Sequence, residues 1–525
     1  MSWFFKRQNR LLSRRNFLSW SAAAGILAAT NKMSGCSRPA SEGLHLQENT
    51  SPPRDKAYNV LMFSIDDLRP QLGCYGHSQM ITPNIDRLAS ESVSFKRAYC
   101  QIPICGASRV SLMTGLRPTY FRLTSFDSRK DQDLPDTVSL PAAFKDAGYT
   151  SISLGKIYHF SDDDNASWSK PAWRAKTERY LSPGNASFHP YPEDPARKGP
   201  AFEAADVFDD AYPDGQVALK AVETLQRLKQ TDEPFFLGVG FNHTHFPLTA
   251  PQKYWDLYNL KDIQLSANPY MPKGAPAAAM HRWTGLRKFQ NVPQWEEELP
   301  EDLARQIIHA YYATISYADA LVGQVLAELT RLNLEQDTIV IFWGDHGFHL
   351  GDNGLWEKHT LYEKSLHVPL IVKVPGITQG QSSLALTEFV DVYPTLCELC
   401  QVPMPSNLEG ISLVPLLQNP DHLGKKAAFS RYNNGKSIRT DRYRYTEFYS
   451  FPGPDDLAKR IGLVRVDSRM LYDHQVDPEE TVNIADLPEN QALVDNLHAK
   501  LRKGWPEFQT ETDMNALSRD RSLGG

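Results

Sequence analysis

The chain has 525 residues, which is enough to bury a large core and to form one large domain beside a smaller one. Its 56 lysine and arginine residues against 62 aspartate and glutamate residues give a formal net charge of −6, which argues against a nucleic-acid-binding protein with a generally basic surface. An anionic substrate stays open, because a local cationic pocket can lie in an acidic protein.

The first 36 residues predict an export signal. The paired Arg14 and Arg15 precede a moderately apolar run over residues 19–30, a pattern typical of twin-arginine signals. That run is too short to span a bilayer as a helix of the mature protein. We therefore expect the twin-arginine translocase to be a partner, and the exported protein to reside in the periplasm or at the cell surface.

The end of the signal leaves two fates open. Met33-Ser34-Gly35-Cys36 resembles a lipobox, in which Cys36 becomes the lipidated first residue of the mature chain. Lipidation would tether the protein to a membrane, whereas simple cleavage would release it. Residues 37–56 are polar and contain prolines, which predicts a linker before the folded part.

Five apolar runs predict buried strands, and helical patterns lie between them. The strands are predicted over residues 58–65, 149–154, 235–241, 338–343 and 368–374, and the helices over residues 137–147, 215–229 and 303–332. Near-continuous apolar strands that alternate with helices indicate an α/β fold with a large mixed, mostly parallel sheet sandwiched by helices. We assign this domain to residues 57–425.

Residues 426–510 change character and predict a smaller C-terminal α+β subdomain. The segments 437–448 and 463–472 are rich in tyrosine, arginine and alternating charges, and a helical pattern follows near residues 490–503. This indicates an antiparallel sheet with a helix, packed beside the main domain and helping to wall its pocket. Residues 511–525 are predicted to form a disordered tail.

The cysteines give little sign of a structural metal. Cys397 and Cys400 form a Cys-x-x-Cys pair inside a helical pattern without a second such pair, so two apolar cysteines on one helix face are the better interpretation. A disulfide between Cys74 and Cys100 is left open by the sequence.

Ionisable residues follow the first four predicted strands. They are Asp66 and Asp67 after the first strand, Lys156 and His159 after the second, His245 after the third, and Asp345 and His346 after the fourth. Ligands of parallel α/β sheets sit beyond the carboxyl ends of the strands. One such strand end could arise by chance, but four favour a single shared site.

Three of these residues, Asp66, Asp67 and Asp345, are acidic. Converging carboxylates repel one another unless a cation lies between them, and a hard divalent ion such as Ca²⁺ suits oxygen ligands. The alternative is that Asp66 and Asp67 cap a helix and Asp345 shapes a turn. Zinc is disfavoured, because the histidines lie at different strand ends without the spacing of zinc motifs.

Lys156, His159, His245 and Lys358 are cationic or can become so. Each alone is more often a solvated lysine or a hydrogen-bonded core histidine, but a cluster of them suits a tetrahedral oxyanion. The histidines that have no such context are predicted to be structural, namely His189, His281, His309, His422 and His474.

Cys105 lies just before a predicted helix start, in the sequence Cys105-Gly106-Ala107-Ser108-Arg109. No histidine lies near it in sequence to act as a base, and a buried free cysteine is the alternative. The pattern Cys-x-Ala-x-Arg resembles the signature of type I sulfatases, members of the alkaline-phosphatase-like superfamily. The other matching stretches are residues 64–69, 115–118, 155–159, 245–247, 344–347, 356–358, 367–370 and 437–445.

The resemblance extends over most of residues 56–485. The spacing Lys156-x-x-His159 and the pair Asp345-His346 resemble the iduronate-2-sulfatase-like branch. It implies a sulfuric ester hydrolase that removes sulfate from a sulfated sugar, such as a 2-O-sulfated uronate of a polysaccharide. The departures are Ala107 in place of proline, which implies a different maturation enzyme, and residues 242–244, where substrate contacts become doubtful.

By the same resemblance, Cys105 is oxidised to formylglycine (3-oxoalanine) by a formylglycine-generating or anaerobic sulfatase-maturing enzyme. Its aldehyde hydrate then supplies the nucleophilic oxygen. One Ca²⁺ ion is implied, bound by Asp66, Asp67, Asp345, His346 and the modified Cys105. Arg109 holds the hydrate, while Lys156 and Lys358 bind sulfate oxygens. His245 protonates the leaving alcohol, and His159 helps to remove a proton so that sulfate is eliminated.

Two alternatives to this function stay open. One is a phosphoesterase or phosphonate hydrolase of the same superfamily, disfavoured because two-metal members need further histidine and aspartate ligands. The other is a non-catalytic lipoprotein that binds sulfated glycans, which requires Cys105 to remain a thiol. From their loop positions alone, Phe348, His349 and Arg439 are candidates for the substrate pocket.

Overall fold

The computed structural model describes residues 57–185, 187–188, 199–231, 233–281, 285–293, 299–450, 463–505 and 509–510. The predicted export signal, the linker, the tail and His189 lie outside these residues, so the predictions made for them remain predictions. Within the described ranges no helix is both long and apolar enough to cross a membrane.

The strands are named in chain order. They are β1 Asn59–Ile65, β2 Val93–Tyr99, β3 Thr150–Gly155, β4 Phe202–Ala205, β5 Phe235–Phe241, β6 Leu248–Pro251, β7 Thr338–Gly344, β8 His349–Leu350, β9 Trp356–Glu357, β10 His367–Lys373, β11 Gln381–Glu388, β12 Ala427–Tyr432, β13 Gly435–Thr440, β14 Tyr443–Ser450, β15 Leu463–Asp473 and β16 Gln509–Thr510.

The helices are named in the same way. They are α1 Pro83–Ala89, α2 Cys105–Thr114, α3 Lys130–Asp133, α4 Leu140–Asp146, α5 Pro213–Leu228, α6 Gln252–Trp255, α7 Glu301–Arg331, α8 Glu363–Leu366, α9 Val392–Cys400, α10 Val414–Gln418 and α11 Gln491–Gly504.

A seven-stranded sheet with the order β11-β2-β10-β7-β1-β5-β3 forms the centre of the main domain. Among its described strands β10 alone runs antiparallel to its neighbours. The prediction of a mixed, mostly parallel sheet is therefore confirmed. The five predicted strands form as β1, β3, β5, β7 and β10, each within one residue of the predicted bounds.

Strand β1 shows why the sheet is covered on both faces. Every residue of Asn59–Ile65 is buried. Leu61 and Phe63 pack into the core on the side of α5 and α7, whereas Val60 and Met62 pack into the core on the side of α2, α4 and α9. A strand with apolar residues on both faces must be covered on both faces.

The C-terminal residues form the predicted second sheet. Strands β12, β13, β14 and β15 pair antiparallel in sequence order. Helix α11 packs on this sheet through Val494, Leu497 and Leu501, which meet a core that includes Ile438 and Tyr445. The predicted C-terminal antiparallel sheet with its helix is therefore confirmed, while the boundary at residues 425 and 426 remains a prediction.

The four cysteines that the structure describes outside the site are buried or partly buried thiols. Cys397 and Cys400 lie in α9, as the helical pattern predicted. Cys74 and Cys100 are both described and both free, so no disulfide joins them.

Candidate active site

Four neighbouring parallel strands deliver the predicted site residues to one edge of the sheet. Strand β1 lies between β7 and β5, and β3 lies beyond β5. Asp345 follows β7, Asp66 follows β1 and Lys156 follows β3. Because the carboxyl ends of parallel strands lie at the same edge, side chains that are far apart in sequence come together there.

Asp67 is fixed by groups from three other elements. Its backbone is in the left-handed region, with φ of 58°, and its N–H donates to Asp345 Oδ1 at 2.9 Å. Its carbonyl accepts from the Tyr311 hydroxyl of α7 at 2.8 Å and from Thr244 Oγ1 at 3.0 Å. These contacts hold the Asp67 carboxylate in a fully buried position.

Cys105 is the first residue of α2 and points at these acidic groups. Its Sγ lies 3.3 Å from His346 Nε2 and 3.9 Å from Asp67 Oδ1. Gly106 must lack a side chain here, because a Cβ atom would lie 2.1 Å from the Phe126 carbonyl oxygen. Ser108 donates to the Asp345 carbonyl at 2.6 Å, so the motif is locked to the end of β7.

Arg109 ties three strand ends together from beneath the site. Its guanidinium is fully buried and donates to Asp345 Oδ2 at 2.9 Å and to Asp66 Oδ1 at 3.2 Å. A further donor reaches the Ile157 carbonyl after β3 at 3.1 Å. Burial disfavours this charge, but Asp345 and Asp66 raise the pKa of Arg109 above its usual value. Arg109 therefore orders and neutralises the two carboxylates.

Two buried lysines pair with the two carboxylates that follow β1. Lys156 pairs with Asp66, and Lys358 Nζ lies 2.7 Å from each carboxylate oxygen of Asp67. Burial opposes ionisation of Asp66, yet Lys156 and Arg109 hold the pKa of this carboxyl well below its usual range. At Asp67 burial dominates and raises the pKa to about 7, although Lys358 opposes the shift.

His346 lies inside the cluster, and His245 lies at its open side. His346 Nε2 is 3.4 Å from Asp67 Oδ1; burial disfavours its imidazolium, but Asp345 and Cys105 raise its pKa to about 9. His245 Nε2 is 4.0 Å from Asp67 Oδ2, and its side chain is 20% exposed. Burial and the Lys358 charge hold the pKa of His245 well below its usual value.

His159 lies at the mouth of the site, outside the ion-pair cluster. Its ring contacts Phe160, with centroids 4.8 Å apart, and approaches Phe126, with centroids 6.1 Å apart. In the described part of the chain His159 Nδ1 has no hydrogen-bond partner. Burial, followed by the Lys156 charge, lowers the pKa of His159 to about 3, so the ring is neutral at pH 7.

The donor atoms fit a hard divalent cation. Ligand atoms of Asp66, Asp67, Cys105 and His245 lie within 4.8 Å of one another, and those of Cys105, Asp345 and His346 do so as well. Buried carboxylates are the donors that Ca²⁺ prefers. A thiol sulfur is a poor ligand for so hard an ion. The protein oxygens therefore fit the predicted metal, and the unmodified Cys105 does not.

The three pocket candidates taken from loop positions are buried and have partners within the folded chain. Phe348 and His349 are fully buried; Phe348 stacks on Tyr311, and His349 Nε2 contacts Thr360 Oγ1 at 2.8 Å. Arg439 is also buried, and its Nε lies 3.3 Å from Glu363 Oε2. The ring centroid of Phe348 also lies 5.9 Å from the Nζ atom of Lys358, and the assignment of the three residues to the substrate pocket remains a prediction.

Other residues that shape the site escaped sequence reasoning. Tyr311 and Thr244 support Asp67 through side-chain hydroxyls. Asp214 of α5 accepts hydrogen bonds from the backbone N–H groups of Asn242 and His243, at 2.9 and 2.8 Å, and so holds the loop that carries His245. None of these residues lies in a pattern that separates it from ordinary core residues.

A buried group of carboxylates, lysines and histidines around a helix-terminal cysteine, at the edge of this sheet, defines a hydrolase of the alkaline-phosphatase-like superfamily. Comparison with known proteins narrows the class. The family model described as Sulfatase matches residues 58–402, and a model described as N-sulphoglucosamine sulphohydrolase, C-terminal, matches residues 351–505. The chain belongs to the sulfatase family and is a sulfuric ester hydrolase.

Individual relatives agree with this assignment. The chain is 32% identical to iduronate 2-sulfatase of Mus musculus over 501 aligned residues. The alignment covers 80% of this chain and 91% of the mouse protein. A solved structure in complex with D-glucosamine-2-N,6-O-disulfate shares the fold, with a TM-score of 0.67, 22% identity and coverage of 86% and 99% of the two chains. A phosphonate monoester hydrolase of Agrobacterium radiobacter also shares it, with a TM-score of 0.69, 22% identity and coverage of 85% and 95%.

Proposed function

We propose that this enzyme hydrolyses a sulfate ester of a glycosaminoglycan-type sugar, with 2-O-sulfated uronate as the preferred unit, through a formylglycine formed from Cys105. The position of Cys105 carries the proposal, because its Sγ lies 3.3 Å from His346 and 3.9 Å from Asp67 at the start of α2. The choice of sugar rests on the likeness to the mouse iduronate 2-sulfatase.

The surroundings of Cys105 suit an oxygen nucleophile better than a thiolate. A sulfur ligand is a poor match for the hard cation that the carboxylates around Cys105 suit. Oxidation to an aldehyde and addition of water would place hydroxyl groups where the sulfur now lies. Oxygen ligands match the carboxylates around them and the hard cation that those carboxylates suit.

We assign the cation, Ca²⁺, to Asp66, Asp67, Asp345, His346 and the hydrated residue 105. When bound, the ion would favour the ionised form of a nearby hydroxyl. His346 would bind in its neutral form, so its proton would leave when the metal enters. With a metal to neutralise Asp66 and Asp67, Lys156 and Lys358 become available to bind sulfate oxygens.

In the reaction that we propose, one hydroxyl of the hydrate first loses its proton to solvent. Its oxygen then attacks sulfur, and the bond between sulfur and the sugar oxygen breaks. His245 gives its proton to that oxygen, because a sugar alkoxide is a poor leaving group. Burial and Lys358 lower the pKa of His245, so its acid form depends on the negative charge that the substrate brings. Arg109 keeps the surrounding carboxylates in place.

His159 then removes the proton of the second hydroxyl. The carbon–oxygen bond to the sulfate group breaks, sulfate leaves, and the aldehyde is restored. Addition of one water molecule to the aldehyde then regenerates the hydrate. A serine at this position has no second hydroxyl and could not release sulfate in this way. The pKa of His159, lowered to about 3 by burial and Lys156, leaves the ring neutral before substrate binds. The negative charge of the bound sulfate group would raise this pKa and so make the ring a stronger base.

The surface beside His159 supports a sugar substrate. Phe126 is 56% exposed, and its ring lies 6.1 Å from that of His159. Aromatic faces contribute large contact areas to binding sites, and the apolar face of a sugar ring can rest on one.

The test is to produce the protein in its native host, or with a co-expressed maturation enzyme, and to examine the peptide that carries Cys105 by mass spectrometry. We expect formylglycine at this position, turnover of an aryl sulfate, and loss of at least about 10³-fold in kcat/KM for Cys105→Ala. Full activity with an intact Cys105 thiol would contradict the mechanism. A higher kcat/KM on the matched aryl phosphate or phosphonate would contradict the substrate class.

A further inference from the structure

Two arginines share the four consecutive carbonyls of the loop after β3. Arg109 donates to the carbonyls of Lys156 and Ile157, the latter at 3.1 Å. Arg174 donates to the carbonyls of Tyr158 and His159, at 2.7 and 2.9 Å. This loop carries a lysine and a histidine of the candidate site, so both guanidinium groups lie next to that site.

The segment that carries Arg174 is fixed to the edge of the sheet. Trp173 donates to the Ser153 carbonyl at 3.0 Å, and its own carbonyl accepts from Gly155 at 2.8 Å. These bonds hold Trp173 along β3, the edge strand next to β5. The position of the Arg174 side chain at the carboxyl end of β3 is therefore set by the backbone.

Arg174 differs from Arg109 in its charge balance. Arg109 pairs with Asp66 and Asp345, whereas no carboxylate in the described part of the chain forms an ion pair with Arg174. Of the acidic groups that act on its charge, Asp66 already pairs with Lys156, and Asp162 pairs with Arg129 at 2.8 Å. The Arg174 Nε atom is buried and has no hydrogen-bond partner among the described residues.

A second arginine adds to this excess of positive charge. The half-buried Arg179 donates to Asn242 Oδ1 at 2.9 Å. Burial and the charges of Arg109 and Arg179 lower the pKa of Arg174 to about 10, so it remains a cation at pH 7. A half-buried cation without a counterion is costly unless an anion completes its surroundings.

We propose that Arg174, with Arg179 beside it, binds a second anionic group of the sugar substrate, next to the sulfate ester that is cleaved. The inference rests on the proposed function and adds a specificity determinant to it. The chemistry recognised is a planar or tetrahedral oxyanion, either the carboxylate of a uronate or a second sulfate. A guanidinium group can donate two parallel hydrogen bonds to either of them.

A positioning role for Arg174 through the His159 carbonyl predicts a different result. Loss of the loop contacts would disturb every substrate alike and would act mainly on kcat. Loss of an anion-binding group would act mainly on KM and only on substrates that carry the second anion. Arg174→Gln separates these roles, because the amide keeps a donor for the loop carbonyls and removes the charge.

The experiment compares four sulfate esters. The first is a disaccharide with a 2-O-sulfated uronate, and the second is the same disaccharide with its carboxyl group reduced. The third is the reduced disaccharide with a sulfate added to the neighbouring sugar, and the fourth is an aryl sulfate. For the wild-type enzyme we expect the ratio of kcat/KM on the first or the third substrate to kcat/KM on the second to be at least about 10. A high ratio for the first substrate identifies the carboxylate as the bound anion, and a high ratio for the third identifies the second sulfate. For Arg174→Gln this ratio should fall about tenfold, mainly through KM.

Two variants serve as comparisons. Arg174→Lys keeps the charge, so its kcat/KM ratio should fall less than that of Arg174→Gln. Arg331→Gln removes an exposed arginine at the C-terminal end of α7, so its kcat/KM ratio should equal that of the wild type. Equal losses on all four substrates for Arg174→Gln, or a wild-type enzyme indifferent to the second anion, would overturn the inference. A wild-type enzyme inactive on every ester, the aryl sulfate included, would overturn the proposed function as well.

Discussion

Single residues in this site are held by partners that are remote in sequence. The Asp67 carbonyl receives hydrogen bonds from α7 and from the loop after β5, and Arg109 joins the carboxylates that follow β1 and β7. The residue types and strand ends were predictable, because ionisable groups directly follow apolar strands. The supporting hydroxyls were not, since a buried tyrosine or threonine looks the same in sequence wherever it lies in a core.

Phe126 gives a residue-scale prediction about substrate binding. Its ring is 56% exposed, while its backbone is fixed against Gly106, so the side chain can be removed without disturbing α2. We expect Phe126→Ala to raise KM for a sulfated disaccharide by about threefold to tenfold, because an aromatic contact contributes about 0.5–1.5 kcal/mol. Steady-state kinetics on the disaccharide and on an aryl sulfate measure the effect.

Phe208→Ala is the matched control, because Phe208 is 85% exposed and lies before α5. Its removal should leave KM within error of the wild-type value. An equal rise in KM for both variants would show that Phe126 is an ordinary surface residue.

At the scale of elements, the two strands of the seven-stranded sheet that sequence reasoning missed, β2 and β11, break the apolar pattern. β2 carries Lys96 and Arg97 at its centre, and β11 begins with exposed polar residues at the edge of the sheet. The alternation of apolar and polar residues and the composition cannot separate such strands from loops. Their structure depends instead on pairing, since β2 pairs with β10 and β11 pairs with β2. β10 itself was predicted, but its antiparallel direction depends on the path of the chain.

An ionic junction joins α8 of the main domain to the C-terminal sheet. Glu363 accepts hydrogen bonds from Arg444 and from Arg439, the latter at 3.3 Å. Arg444 also pairs with Glu480 at 2.9 Å and is 1% exposed. We expect Glu363→Gln to lower the free energy of unfolding by about 3 kcal/mol, because buried guanidinium groups lose a carboxylate partner. The variant leaves the buried Arg439 without a carboxylate partner among the described residues and Arg444 with Glu480 alone. Denaturant midpoints at neutral pH measure the loss.

The pH dependence of this loss has a defined sign. Burial opposes ionisation of Glu363, but Arg444 and Arg439 hold its pKa well below the usual value. A carboxyl with a lowered folded pKa contributes stability above its unfolded pKa of about 4.3, and the contribution disappears as pH falls through the folded value. The difference between wild type and Glu363→Gln should therefore be the same at about pH 7 and pH 5.5 and shrink only below about pH 4.

Asp467→Asn is the control for this junction, because Asp467 lies 3.3 Å from Arg465 in an exposed ion pair. It should change the denaturant midpoint little at any pH. A loss for Glu363→Gln no larger than that of the control would show that the junction adds no stability.

For the whole molecule, the burial of Cys105 constrains when it can be oxidised. Cys105 is 4% exposed in the folded chain. An enzyme that modifies it must therefore act while this segment is still accessible, which is before α2 and the ends of β1 and β7 close around it. The predicted twin-arginine signal would export the chain in the folded state. If both properties hold, we expect oxidation to occur in the cytoplasm, before folding is complete and before export.

The order of these events can be measured with a variant that cannot be exported. We expect the double variant Arg14→Lys/Arg15→Lys to remain in the cytoplasm. Mass spectrometry of the peptide that carries position 105 should find formylglycine there to the same extent as in the exported wild type. A variant with Ala107→Pro serves as a control for maturation alone, since it changes the motif and leaves the signal intact. Unmodified Cys105 in the retained protein, with formylglycine confined to the exported protein, would show that oxidation follows export and that the folded site opens to admit the maturation enzyme.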